Sequence, residues 1–289
     1  PKKYSNEYTP KSMELSYWEV IKVTFTGVSP DRTSSNALPS EYKLPYENVS
    51  FKAKDGITIK GWLVKAPNPK GTILIAHGWD SSKDGMINYS KFLYKNSYSS
   101  LLFDFRGNGE SDGNYTSLGY YESLDVLGAI DYLKSRQDTK NNRIGAIGFS
   151  MGGAAVIVAV KQTNEIEAIV LDSIYPTIHQ NIARRFKKVY GFPKFPFATS
   201  LTFFGGLLLG FNGFDLAPEK YISEIDIPVL IIQGSKDEQV SIEDAKKIYR
   251  NTKEPKYLWI VEGAKHTDSY NLNSTEYEKR IVVFFNENI

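Results

Sequence analysis

Apolar and polar positions along the chain change rhythm several times, and each change marks an element. Val49 to Ala53 and Ile57 to Val64 read as strands joined by the Asp55-Gly56 hairpin signal. From Gly71 onward the apolar runs become short and continuous, as in strands buried on both faces. They are Gly71 to Ala76, Ser99 to Asp104, Arg143 to Phe149, Ala168 to Leu171, Val229 to Gln233 and Tyr257 to Val261. Between them lie stretches with helical spacing: Tyr120 to Ser135, Met151 to Lys161, Ile242 to Arg250 and Glu276 to Asn286. Strands alternating with helices predict an α/β fold, a mostly parallel central sheet flanked by helices, with the opening hairpin at one edge. The alternation lapses once, from Ser173 to about Ile225, after the sixth strand. This predicts a cap inserted over the sheet.

The first forty residues are polar and weakly periodic. Tyr17, Trp18, Val20 and Ile21 predict one apolar face of a short helix, within an arm (1–40) packed on the main domain (41–289, cap about 173–225). The sequence contains neither an internal repeat nor a low-complexity stretch.

Candidate chemistry concentrates at the ends of the buried strands. Gly148-Phe149-Ser150-Met151-Gly152-Gly153 follows one apolar strand and opens the helical stretch Ala154 to Val160. A serine in such a strand–turn–helix context is the nucleophile-elbow pattern. The glycines are needed because side chains beside the strained serine would strike neighbouring backbone. Ser150 is therefore the candidate nucleophile. Of three histidines, His266 lies in a loop after the last strand and is the candidate base. His77 ends an earlier strand and reads as a brace for its loop, and His179 falls in the cap. An acid should hold the base in one tautomer. Asp237 stands at the first turn after the strand Val229 to Gln233 and is the first choice, with Glu238 and Asp172 as rivals. The backbone N–H groups of Met151 and Trp79 are the candidate donors to an oxyanion. Asp104 to Ser111 is glycine-rich but lacks the spacing of a nucleotide loop. It reads as a structural turn in which Asp104 and Arg106 pair with nearby loops.

Composition removes other chemistries. There is no cysteine, so a thiol nucleophile, thiolate metal sites and disulfides are excluded. No histidine–carboxylate spacing suggests a metal site, and no cofactor motif is present. A net charge of +2 gives no reason to expect nucleic acid as partner.

In their order along the chain, His77-Gly78-Trp79, Asp104-Phe105-Arg106-Gly107-x-Gly109-x-Ser111, Gly148-x-Ser150-x-Gly152-Gly153, Gly234-x-x-Asp237 and His266 resemble the α/β hydrolases. The resemblance covers roughly Tyr46 to Ile289. The opening block, Leu44 to Val49 and then Asp55-Gly56 to Gly61-Trp62, looks like the bacterial branch described as prolyl-oligopeptidase-like or Bem46-like. It implies the α/β-hydrolase fold and serine hydrolase chemistry, in a branch commonly of esterases, many with an N-terminal membrane segment. The chain begins at Pro1, so a signal or anchor could precede it, and the compartment stays open, as does the oligomeric state.

The expected activity is hydrolysis of carboxylic esters with short to medium acyl chains through an acyl-enzyme on Ser150. A serine peptidase of prolyl-oligopeptidase type, an acyl-protein thioesterase and a catalytically silent binding protein are the alternatives. The cap bears on the substrate. Ser173 to Gly213 contains no Asp or Glu but holds Arg184, Arg185, Lys187, Lys188 and Lys194. Beside them runs the apolar stretch Phe195 to Phe211, too short and too rich in Gly, Ser and Thr to span a membrane. The expected arrangement is a solvated basic helix with an apolar underside, where Phe203, Phe204 and Leu207 meet a small-molecule ester or lipid-like substrate. Contact between the cap and an anionic membrane surface is the sharper expectation.

Overall fold

The computed structural model describes Arg32, residues 36–191 and residues 193–289. The expected apolar face at Tyr17, Trp18, Val20 and Ile21 lies outside the described residues.

Eight strands form one sheet: β1 (Tyr46–Lys52), β2 (Thr58–Val64), β3 (Thr72–Ala76), β4 (Ser99–Phe103), β5 (Ile144–Phe149), β6 (Ile166–Asp172), β7 (Val229–Gly234) and β8 (Lys256–Val261). Their order is β1-β2-β4-β3-β5-β6-β7-β8. β1 and β2 form the edge hairpin, and β2 joins β4 antiparallel. Every pairing from β4 onward is parallel. β3, β4, β5 and β7 are buried along their whole length, as continuous apolar runs require. β8 differs from the expectation of two buried faces. It is only half-buried, because it is the far edge of the sheet and has a strand on one side alone.

Helices cover both faces. Val126, Ile130 and Leu133 of α2 (Glu122–Ser135), Val156 and Ile157 of α3 (Met151–Val160) and Ile248 of α6 (Ile242–Asn251) pack on one side. Phe92 and Leu93 of α1 (Ile87–Lys95) and Tyr277, Ile281 and Phe285 of α7 (Ser274–Asn288) pack on the other. α1 was not expected, since its apolar positions are broken by Asn88, Ser90 and Lys91. Ser90 sits in the core only because its hydroxyl meets that of Ser100 at 2.6 Å. The insertion between β6 and β7 carries α4 (Ile178–Tyr190) and α5 (Thr199–Leu209). Among the described residues no helix is long and apolar enough to cross a membrane.

The glycine-rich turn after β4 is a structural knot. Asp104 is fully buried and accepts from the backbone and the Nζ of buried Lys83, at 2.8 and 2.6 Å. Lys83 also lies over the Trp62 ring. Arg106, equally buried, donates to Asp125 of α2 at 2.7 Å and to Asp55 of the β1–β2 turn at 2.7 Å. Burial disfavours its charge, but the two carboxylates outweigh burial and raise its pKa. Arg32 donates to the carbonyls of Ser111 and Gly113 of the same turn, at 2.6 and 2.5 Å.

A buried charge stripped of its partner is far costlier than a missing surface pair. Arg106→Leu should therefore lower the unfolding free energy by about 3–5 kcal/mol in urea titrations. A loss below about 1 kcal/mol would mean that Asp125 is satisfied without the guanidinium.

Candidate active site

From β3 the chain continues to β4 on one side, and from β5 to β6 on the other, while β3 and β5 are themselves neighbours. The loops leaving two such strands part at their carboxyl ends, and a crevice forms there. Ser150 follows β5, and Trp79 belongs to the loop that follows β3.

The backbone at Ser150 is left-handed, with φ 48° and ψ −111°. It is held there by contact from both sides. The Ser150 N–H donates to the Asp172 carbonyl at 2.9 Å, and α3 begins at the next residue. A Cβ at Gly148 would stand 2.5 Å from the Gly153 Cα. One at Gly152 would stand 2.5 Å from the His77 carbonyl oxygen and closer still to that of Ala76. Both glycines are thus demanded by close approach of backbone. Gly78 faces the same turn, its missing Cβ 3.8 Å from the Cβ of Ser150.

His266 bridges to Ser150 and Asp237. Its Nε2 lies 3.1 Å from the Ser150 Oγ, and its Nδ1 lies 2.7 Å from Asp237 Oδ2. The carboxylate leaves Nδ1 as donor and Nε2 as acceptor, the tautomer that can take the serine proton. Asp237 is buried and accepts further bonds from the N–H groups of Gln239 and Val240, at 2.8 and 2.9 Å, and from the Gln233 amide at 3.0 Å. Burial alone would raise its pKa; the bonds from His266, Val240 and Gln233 prevail and lower it. Backbone bonds fasten the acid loop to the base loop: Ser235 N–H to Val261, and Lys236 N–H to Ala264, both at 2.9 Å.

The rival acids stand elsewhere. Glu238 is exposed and pairs with Lys188. Asp172 is fully buried and accepts from the hydroxyls of Ser173 and Tyr277, each at 2.9 Å. Ser173 in turn accepts from the Thr267 N–H at 3.0 Å, so Asp172 braces the backbone next to His266. Sequence reasoning missed Gln233, Ser173 and Tyr277. An amide closing an otherwise apolar buried strand was the one available signal, at Gln233.

His77 is buried and held as a brace. Its Nε2 accepts from the Phe105 N–H at 3.0 Å, and its Nδ1 donates to the Gly78 carbonyl at 2.7 Å. Burial lowers its pKa and keeps it neutral. His179 meets Thr202 within the cap, Nδ1 to Oγ1 at 3.0 Å.

The cap departs from the expected division into a solvated basic helix and an apolar underside. Much of the basic helix faces the body. Arg184 pairs with Asp244 and donates to the Gln239 carbonyl at 2.9 Å. Lys188 pairs with Glu238, and the Arg185 guanidinium lies 4.6 Å from the Trp79 ring centre. Acids in the loop after Asp237 and at the start of α6 draw these cations inward. Of the residues expected to meet substrate, Phe203 and Leu207 are exposed on α5, and Phe204 is half-buried with its ring edge-on to Phe203.

The family described as serine aminopeptidase, S33, matches residues 67–202, which span β3, the elbow and most of the cap. The esterase Pf2001 of Pyrococcus furiosus superposes with a TM-score of 0.75 at 28% identity, over 90% of this chain and 99% of that one. The chain has the α/β-hydrolase fold. Among its relatives, YqkD of Bacillus subtilis is 27% identical over 79% of this chain and 75% of its own length. YfhR of Escherichia coli K12 is 28% identical over 82% and 80%. The α/β hydrolase domain-containing protein WAV2 of Arabidopsis thaliana is 28% identical over 79% and 74%.

Two outcomes test the site's construction on this α/β-hydrolase fold. Gly152→Ala should cost about 1–3 kcal/mol through overpacking, and should lower hydrolysis at least tenfold even where the protein stays folded. Full activity would show that the elbow can yield. Asp172 gives a signed pH effect. Burial pushes its pKa from 3.8 up to about 6, against the Ser173 and Tyr277 bonds. The folded state therefore holds this proton more tightly, and the stability it adds at low pH is lost as pH rises from about 4 to about 6. Asp172→Asn should shift the stability difference toward the variant by about 2–3 kcal/mol between pH 4 and pH 7. A difference that does not change with pH would contradict the raised value.

Proposed function

We propose that the chain is a carboxylesterase working through an acyl-enzyme on Ser150. The observation that carries the reading is the pair of contacts made by His266, to Ser150 Oγ at 3.1 Å and to Asp237 Oδ2 at 2.7 Å. His266 removes the serine proton as Oγ attacks the ester carbonyl, then gives it to the departing alcohol. Water repeats the sequence and releases the acid. Asp237 holds the imidazole in its tautomer and stabilises the imidazolium. The N–H groups of Met151, at the start of α3, and of Trp79 receive the oxyanion, assisted by the positive end of the helix.

Ester rather than peptide cleavage is favoured by the esterase among the similar structures and by the cap's charge. The matched family is described as a serine aminopeptidase, which gives the peptidase reading its weight. An aminopeptidase must receive a substrate ammonium, usually on a carboxylate. Here Arg184, Arg185 and Lys188 line the cap's inner helix, and the nearby Glu238 and Asp244 are already paired with cations. A cationic approach opposes such a substrate. The acyl chain is short to medium, and the half-buried Phe204 of the cap would supply apolar contact.

A fluorophosphonate probe should label Ser150, and hydrolysis of p-nitrophenyl esters should exceed that of aminoacyl-nitroanilides. Ser150→Ala, His266→Ala and Asp237→Asn should each lower kcat by about 10⁴-fold. Unlabelled but folded protein would sink the reading, and faster anilide cleavage would transfer it to the peptidases.

A further inference from the structure

Helix α5 presents large apolar side chains to water. Leu207 is 66% exposed, Leu208 58% and Phe203 54%, and Phe195, just before the helix, is 75% exposed. Scattered apolar residues on a surface are ordinary, but a contiguous group on one short helix marks an interaction face. α5 itself contains no charged residue, and at 11 residues it is far too short to span a bilayer. Beside it Lys187 and Lys194 are exposed, while Arg184 and Lys188 are held by Asp244 and Glu238. Ser173 to Gly213 contains no Asp or Glu that would repel an anionic partner.

We propose that this face of the cap docks on an anionic lipid surface. Phe195, Phe203, Leu207 and Leu208 enter the boundary between head groups and acyl chains, with α5 lying in the plane of the interface. Lys187 and Lys194 meet the lipid phosphates. Charge selects a lipid surface over an uncharged apolar partner, because the apolar group is flanked by cations alone within the segment. The α4 helix of the same cap contacts Trp79 and the loop after Asp237, so the cap that would dock is held against the body. Docking of this face is separate from the chemistry assigned to Ser150, and either can fail without the other.

Co-sedimentation of the full chain with vesicles tests it. Vesicles of phosphatidylcholine should bind at least tenfold less protein than vesicles in which about a third of the lipid is phosphatidylglycerol. Each lysine should contribute roughly fivefold, so Lys187→Glu with Lys194→Glu should weaken binding at least tenfold. Phe195→Ser with Leu208→Ser should abolish it. Circular dichroism checks that the variants fold, and fluorophosphonate labelling reports the serine independently of vesicle binding. Equal binding to both vesicles, no binding to either, or unchanged binding by either double variant would overturn the proposal. So would a dimer in light scattering that buries this face and ignores vesicles.

Discussion

The seating of the turn at Ser150 against the end of β3 is the constraint on which the site depends. Ser150 has a backbone conformation that an ordinary residue avoids. Nothing local favours it. It persists because Gly152 lies against the carbonyls of Ala76 and His77, Gly148 lies against Gly153, and the Ser150 N–H is tied to Asp172. The sheet therefore holds the strain. Two parallel strands buried on both faces cannot shift to relieve the turn without opening the core on which α3 also packs.

The other members of the site are positioned by loops that hold one another. Asp237 and His266 follow different strands, yet Ser235 and Lys236 donate to the backbone of the loop that ends in His266. Behind them, Asp172, Ser173 and Tyr277 support Thr267. The geometry at His266 therefore depends on α7, which comes after it in the chain and supplies Tyr277. Such an arrangement fixes the imidazole while its side chain stays partly open to solvent.

The sheet was legible because a short, continuous apolar run between turn residues fits little except a strand covered on both faces. The elbow was legible because its glycines answer a steric need visible in one short segment. The acid was legible only to a shortlist. Asp237, Glu238 and Asp172 all stand at strand ends, and only three-dimensional placement separates them. α1 escaped because its core face includes Ser90, which is buried through a partner in β4. The orientation of the cap escaped for a related reason. Composition displays five cations together, but the acidic partners of two of them, Asp244 for Arg184 and Glu238 for Lys188, lie beyond β7 in the sequence. Pattern within a segment reads local periodicity well and long-range pairing poorly.

Asp244 joins two structures that are otherwise distant along the chain. Its Oδ2 accepts from the N–H and hydroxyl of Ser241, both at 2.8 Å, and so caps α6; the same oxygen pairs with Arg184 of the cap, and Oδ1 accepts from Gln180 at 2.7 Å. Burial opposes its charge, but Arg184 and Ser241 lower its pKa. One carboxylate thus serves as the foot of a body helix and the anchor of a cap helix. A proton arriving there in strong acid, below the ordinary carboxylate range, weakens both at once. The α4 helix of the cap consequently shares the fate of α6, the body helix to which this one carboxylate ties it.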